Sequence, residues 1–510
     1  MGIAAGEAST TRTRVDPRHA VIAMHVAGNF MSALDITIVN VALPSIGRSL
    51  HATSSSIEWV VVGYLLSLAT WIPASGWFGD RFGTKRVYLS AMSIFTVSSA
   101  MCGAAQNLGQ LIGARVLQGV GGGMLTPVSS AMLYRAYPPE ERARIARIII
   151  IPTIVAPASG PILGGLFADH LSWRWVFYVN VPVGVVMVLF GALFLREHRE
   201  ATAGRFDAAG FVLSGGGLAL LLYALGKGPR DGWGSAIVLW SAALGLSALV
   251  ALVFVELRHS RPLLPLRMLG DRLFRSVNIV SFFTFATFFG FLFIVPQFLQ
   301  VAREESPLHA GLTIFPEALG VLVSSQFAGR LYPRIGPRRL MSVGLFAVAT
   351  SVFVFSLISI DTSSWLIRLL IFAVGFSVGP CMVCMQAAAF ATIAPADTGR
   401  ATAIFNAQRQ VAAAVGVALM ATVLAARLPS GLTDGASSLS AFRTVFRVGA
   451  LLALVGAFAA QIVRDSDAAP SMRPRGQLAV SRTRAPHVAW RDKRAADHTE
   501  PARPEHTSPT

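Results

Sequence analysis

Apolar runs of membrane-spanning length recur from about residue 20 to about residue 463, and no soluble fold can absorb so many of them. A hydrocarbon core needs roughly 20 apolar residues per crossing helix. Runs of that length stand at approximately 20–43, 57–76, 87–105, 108–132, 145–167, 174–195, 207–226, 234–255, 274–299, 309–329, 340–359, 365–388, 401–425 and 442–463. None shows strand-like alternation, so each predicts a helix and the fold class is all-α integral membrane with fourteen transmembrane helices. Composition agrees, with 54% hydrophobic and 14% charged residues over 510 positions.

The net charge of +17 would suggest nucleic acid in a soluble protein, but here the placement of the charges decides. With the N-terminus in the cytosol, roughly 32 of the 43 Lys and Arg fall on the cytoplasmic side, roughly 8 outside and about 3 within spans. The bias accounts for the basic charge without nucleic acid. It predicts a multi-pass plasma-membrane protein with both termini cytoplasmic. Residues 1–19 form a cytoplasmic N-terminal tail, and no cleavage site follows the first run, so the first helix is retained. From Arg464 the sequence turns polar, and 464–510 reads as a disordered basic cytoplasmic tail, either without a role or with a regulatory or lipid-touching one.

Several chemistries are not encoded. No GxxxxGK[ST] string is present, so there is no phosphate-cradling loop for ATP. GVGGG at 119–123 lies inside a span, where glycines let helices approach closely. Cys381 and Cys384 form a CxxC within an apolar span, without a second pair or a histidine cluster, and read as small packing residues. No cofactor, metal or covalent catalysis is expected, and the chain is not read as an enzyme.

A charged string, GWFGDRFGTKR at 76–86, joins two spans. Gly76, Gly79 and Gly83 space a tight turn, and Asp80, Arg81, Lys85 and Arg86 crowd charge onto it. DRFGTKR at 80–86 aligns with PRIGPRR at 333–339, an offset of about 253 residues. The same register lays Arg115 and Pro127 on Arg368 and Pro380, and Arg147 on Arg400. Agreement across three regions predicts a duplicated half. The organisation is then a six-helix bundle at 20–195, a linker at 196–273 with two extra helices, and a second six-helix bundle at 274–463.

Ionisable groups inside spans are expensive in lipid and are the first candidates for function. Asp35, in LDITIVNVALP at 34–44, and Arg115, in the fourth span, both lie roughly 10–12 Å below the outer surface at 1.5 Å per residue. A carboxylate near a buried guanidinium suits a proton-coupling switch. The alternative is that Arg115 snorkels while Asp35 caps a broken helix. Glu317, after Pro316, either takes a proton or cationic cargo or faces water near the outer mouth. Asn406 and Arg409, in NAQRQ at 406–410, are cavity candidates, although Arg409 could also reach the cytosol. APASGPILGGL at 156–166 sets Gly160, Gly164 and Gly165 around Pro161, a pattern for close packing with a bend. Phe282, Phe283, Phe285, Phe288, Phe289 and Phe291 line either a cargo cavity or the lipid.

Together these strings resemble the major facilitator superfamily, specifically its fourteen-helix drug:proton antiporter family, over about 20 to 463. GWFGDRFGTKR is similar to the loop 2–3 signature. By that resemblance Gly76, Asp80, Arg81, Gly83 and Arg86 belong to a conformational latch between the halves. RVLQGVGGG at 115–123 resembles the fourth-helix motif, whose Arg is implicated in proton transfer. SGPILGG at 159–165 resembles the fifth-helix motif of exporters, and LDITIVNVALP the first-helix motif of the fourteen-helix branch. WRWVFYVNVPVG at 173–184 and NAQRQ add matches. Pro333 replaces the acid in the second hairpin, Thr84 stands where a basic residue is usual, and Ala412 to Ala414 occupy a stretch that is often glycine-rich. The resemblance implies two six-helix bundles and proton-driven export of lipophilic, cationic or amphipathic small molecules by alternating access. Its partners would be the cargo, protons and the bilayer, and the chain is expected as a monomer. A dedicated exporter of one metabolite and a non-transporting receptor or scaffold are the alternatives.

Overall fold

The computed structural model describes residues 17–52, 57, 59–199, 206–258, 263–305, 307–394, 397–427 and 435–472. The first bundle contains α1 (Pro17–Ser49), α2 (Trp59–Phe82), α3 (Thr84–Ala104), α4 (Leu108–Ala136), α5 (Pro139–His170) and α6 (Asn180–Phe194). A linking pair follows, α7 (Gly217–Asp231) and α8 (Ala236–Arg258), with α7 entered through a π-turn at Val212–Gly216. The second bundle contains α9 (Arg272–Gln297), α10 (Pro307–Ile335), α11 (Pro337–Phe355), α12 (Ser364–Ala388), α13 (Thr398–Arg427) and α14 (Gly435–Ala459). No strand occurs among the described residues.

Counting α6 with the turn Trp175–Tyr178 before it, and α7 with its lead-in, 12 of these helices are long and apolar enough to cross a membrane. The other two, α4 and α5, are 29 and 32 residues long and contain the more polar stretches that the first bundle encloses. Helices satisfy every backbone group internally, which lipid demands. The outer surface is correspondingly apolar: Leu193, Trp240 and Phe346 are all exposed, and Leu239, Leu244 and Leu246 expose much of α8.

The two bundles repeat one packing pattern. In the first, α1 packs on α5, α2 and α3 on α4, and α3 on α6; in the second, α9 packs on α13, α10 and α11 on α12, and α11 on α14. The linking pair sits against α2 and α13, and Trp233 Nε1 donates to Thr422 Oγ1 at 2.9 Å. The duplication extends to the hairpins. Gly83 and Gly336 both have positive φ, 100° and 85°, and each alone separates two long helices.

Two sequence expectations shift here. The hairpin at 76–86 is not a multi-residue turn, because α2 remains helical through Phe82 and only Gly83 breaks it. The polar tail does not begin at 464. Asp465 accepts from Arg338 N at 2.9 Å, Ala468 and Ser471 are buried, and Tyr332 Oη lies 2.6 Å from Ser471 Oγ. Residues 1–16 and 473–510, including most of the predicted tail, lie outside the described residues.

Candidate functional site

Glycines bring the helices around Asp35 into close register. A Cβ on Gly119 of α4 would stand 2.6 Å from the Tyr64 carbonyl oxygen of α2, and one on Gly160 of α5 would stand 3.1 Å from the Ile38 nitrogen of α1. The tight α2–α4 seam lets Arg115 Nε donate to the Val60 carbonyl at 3.0 Å. Nη1 then donates to Asp35 Oδ2 at 2.5 Å and to Gln118 Oε1 at 2.8 Å. The second Asp35 oxygen accepts from Gln118 Nε2 at 3.0 Å and from Asn180 Nδ2 at 3.4 Å. Asn180 is tied in turn to Ser99 Oγ at 3.3 Å. The guanidinium lies 4.1 Å from the Tyr64 ring centroid. Asp35 and Arg115 are both fully buried, so Arg115 does not snorkel, and α1 continues unbroken through Asp35. The result is a charged pair sealed within one bundle, with both carboxylate oxygens held.

The halves are clamped at the α2–α3 end. A Cβ on Gly76 would lie 2.9 Å from the Gly399 carbonyl oxygen, so α2 and α13 meet backbone to backbone. Asp80 Oδ1 accepts from Arg135 Nη2 at 2.8 Å, and Asp80 Oδ2 lies 3.9 Å from Arg400 Nε across the interface. Thr402 Oγ1 donates to the Pro127 carbonyl at 3.2 Å, Arg142 Nη1 donates to the Phe390 carbonyl at 2.5 Å, and Tyr134 Oη hydrogen-bonds Gln386. Among the described residues, the hydrogen bonds and ion pairs that join the two bundles lie toward this end. Arg81 is exposed, and Arg86 pairs with Glu197 at 3.6 Å, so neither takes part in the Asp80 pairs.

The Major Facilitator Superfamily family model matches residues 26–417, most of the chain. This chain belongs to the Major Facilitator Superfamily. Among its relatives, the multidrug resistance protein B homolog of Mycobacterium tuberculosis (strain H37Rv) is 33% identical over 403 residues, covering 78% of this chain and 75% of the relative. The multidrug transporter protein MdtP of Bacillus subtilis is 30% identical over 442 residues, covering 86% and 80%. A putative multidrug resistance protein MdtD of Klebsiella pneumoniae is 36% identical over 337 residues, covering 64% and 70%. Such relatives are consistent with the drug:proton antiporter family. Two solved structures share the fold: the human organic anion transporter MFSD10, with TM-score 0.63, 16% identity and 88% and 100% coverage, and the proton:xylose symporter XylE, with 0.57, 15%, 85% and 94%.

The remaining candidates of this superfamily member are dispersed. Glu317 on α10 is 5% exposed and makes no hydrogen bond or ion pair among the described residues. Asn406 is buried and donates to the Thr402 carbonyl of its own helix at 2.8 Å. Arg409 is half-buried, over the Phe285 ring at 5.9 Å. Phe285 and Phe291 are buried, and Phe282, Phe283, Phe288 and Phe289 are half-buried. Gly164 is buried in α5, while the surroundings of Pro161 and Gly165 lie outside the described side chains. Cys381 and Cys384 are buried free thiols, with Cys381 Sγ 3.6 Å from the Met341 carbonyl.

Sequence reasoning missed Gln118, Asn180, Arg135, Glu197 and His25. Gln118 was detectable as the residue one helical turn beyond Arg115 on the same face. His25 was detectable as an ionisable group inside the first span.

Proposed function

We propose that this protein is a proton-coupled secondary exporter of lipophilic, amphipathic small molecules that works by alternating access between its two bundles. The observation that carries the reading is the fully buried Asp35–Arg115 pair, held on both carboxylate oxygens by Gln118 and Asn180. Protonating Asp35 removes the charge that Arg115 answers. Gln118 and Asn180 then lose their acceptor's charge, and α1, α4 and α6 have reason to repack. Separating a buried pair costs about 3–5 kcal/mol, whereas a proton falling through 100 mV supplies about 2.3 kcal/mol. A proton can therefore contribute a substantial share of the work of resetting the bundle.

On the Lys and Arg bias the α2–α3 end lies in the cytosol, and under alternating access a conformation clamped there is the outward-facing one. In this reading protons enter, and cargo leaves, from the outer side. The multidrug names of the relatives support a broad cargo range. The cationic cargo expected from intramembrane acids rests on Glu317 alone, because Asp35 is committed to Arg115. The test is dye efflux from energised cells, with and without a protonophore, for the wild type and Asp35→Asn at matched expression. Wild-type efflux should stop with the protonophore, and Asp35→Asn should be inactive in both conditions. Wild-type efflux that survives collapse of the proton gradient would sink the coupling.

A further inference from the structure

Among the described residues, Arg409 is, with Glu317, a charge within a span that no ion pair answers. It lies near the middle of α13, about 17 Å from that helix's Thr398 end at 1.5 Å per residue. Its guanidinium is within electrostatic reach of His25 on α1 and Tyr134 on α4, and this stretch of α13 faces the first bundle: α13 packs on α2 and α4, and Ala407 and Val411, two residues to either side, join the first bundle's apolar cluster. Among the described residues it has no hydrogen-bond or ion-pair partner. Guanidinium cannot shed its proton, so only a counter-charge or water can satisfy it.

The nearby polar groups are already occupied. Ser129 Oγ donates to the Leu125 carbonyl at 2.7 Å and lies 3.0 Å from His25 Nδ1. Asn29 Nδ2 lies 2.9 Å from His25 Nε2, and Asn29 Oδ1 accepts from Thr126 Oγ1 at 2.8 Å. These directions assign a neutral imidazole that donates from Nδ1 to Ser129 and accepts at Nε2. His25 is thus neither a second cation nor a counter-ion. Asp35 is held by Arg115. Glu317 is about 27 Å from the α2–α3 end of α10, so it sits roughly 10 Å further along the bundle axis than Arg409.

Apolar surface adjoins the Arg409 guanidinium. Phe285 lies under the guanidinium at 5.9 Å, Phe289 stacks on Phe285 at 6.2 Å, and Phe405 meets Phe285 edge-on at 6.4 Å. Tyr134, bonded to Gln386, belongs to the clamp that closes the path at the α2–α3 end. A planar cation beside aromatic rings above a closed gate matches a ligand with an acidic head and an apolar body, because guanidinium takes carboxylates through two parallel hydrogen bonds.

We infer that Arg409 anchors an anion-binding subsite in the transport path and that the cargo class is the lipophilic organic anion, a carboxylate or comparable acid on an aromatic or aliphatic body. The inference rests on the transport function proposed above. It also carries an electrical consequence. Exporting a monovalent anion in exchange for one entering proton moves two positive equivalents inward, so an inside-negative potential drives the exchange, whereas exchange of a monovalent cation is electroneutral.

Two probes with one apolar body and opposite heads test it: pyrenebutyrate and pyrenebutyltrimethylammonium. Binding of each to the full chain in nanodiscs is measured by fluorescence against empty nanodiscs, for the wild type, Arg409→Gln and Arg409→Lys, with monodispersity and Tm confirming that each variant is folded. The wild type should bind the carboxylate at least tenfold more tightly than the ammonium. Arg409→Gln should lose that preference by weakening the carboxylate alone, and Arg409→Lys should keep part of it. If Arg409→Gln fails to fold, the wild-type preference and its reduction in Arg409→Lys decide the matter. Equal binding of the two probes, tighter binding of the ammonium, or carboxylate binding indifferent to Arg409→Gln overturns the inference.

Proteoliposomes with an imposed pH gradient separate the two readings. Arg409-dependent carboxylate binding without gradient-driven transport of either probe defeats the transport function and leaves the anion subsite standing. Gradient-driven transport of the ammonium but not the carboxylate defeats the subsite and leaves the transport function standing.

Discussion

Asp35 and Arg115 are a pair whose members have little value apart. Asp35→Asn leaves a guanidinium with no counter-ion at a fully buried position and is expected to cost about 3–5 kcal/mol of stability. Asp35→Asn combined with Arg115→Gln removes both charges and should recover about 1–3 kcal/mol of that loss, measured by thermal unfolding in detergent at constant pH. Strictly additive single losses would show that the two charges are not coupled. Both residues were legible in the sequence because ionisable groups stand out in apolar runs. Their partners were not. Gln118 and Asn180 are uncharged amides, and Asn180 reaches Asp35 across 145 residues, a juxtaposition that only packed helices reveal. Arg409 was visible as a candidate, but that no counter-ion stands beside it among the described residues could be seen only once the neighbouring helices were in place.

The two hairpins show how an element can repeat in structure while diverging in sequence. Glu197 accepts from Lys85 N and Arg86 N at 3.1 and 3.3 Å, and Asp465 accepts from Arg338 N at 2.9 Å, so a carboxylate caps the first turn of both α3 and α11. The 253-residue register exposed the duplicated bundles, the linking pair and the matched glycines. It could not expose the caps, which are about 268 residues apart because the second bundle has longer connections. Glycines within the one string then differ in what they tolerate. Gly83→Ala forces a side chain into positive φ and against Glu197, and should cost at least about 1–2 kcal/mol. Gly79→Ala meets nothing closer than 3.5 Å in a helical conformation and should be neutral or stabilising by up to about 1 kcal/mol. The two alanine variants, compared by Tm in detergent, test whether the glycines are kept for distinct reasons; equal losses would refute this.

At the scale of the whole molecule, the α2–α3 end is closed, among the described residues, by the Gly76–Gly399 backbone contact, a few polar ties and apolar packing such as Tyr134 on Phe390, so its opening should respond to substitutions at the tightest of these points. Asp80 has Pro333 at the matching position of the second hairpin, and its pair with Arg400 crosses the interface at 3.9 Å. Losing a tie of that length is worth about 1 kcal/mol, or about a fivefold shift in the closed-to-open ratio. Gly76→Val is more severe, because a Cβ alone would lie 2.9 Å from the Gly399 carbonyl oxygen and neither backbone can yield without separating α2 from α13. Arg81 and Arg334, related by the duplication and both exposed, are positions for reporting this motion after Arg81→Cys and Arg334→Cys labelling. The described native cysteines, Cys102, Cys381 and Cys384, are buried and compete poorly for the label. Double electron–electron resonance should show a short distance in the parent, a growing long-distance population with Asp80→Asn, and near-complete loss of the short distance with Gly76→Val. A distribution unchanged by Gly76→Val would mean that the α2–α13 contact is not what holds this end shut. The closed state would then depend on the Arg142 and Tyr134 ties between α4, α5 and α12.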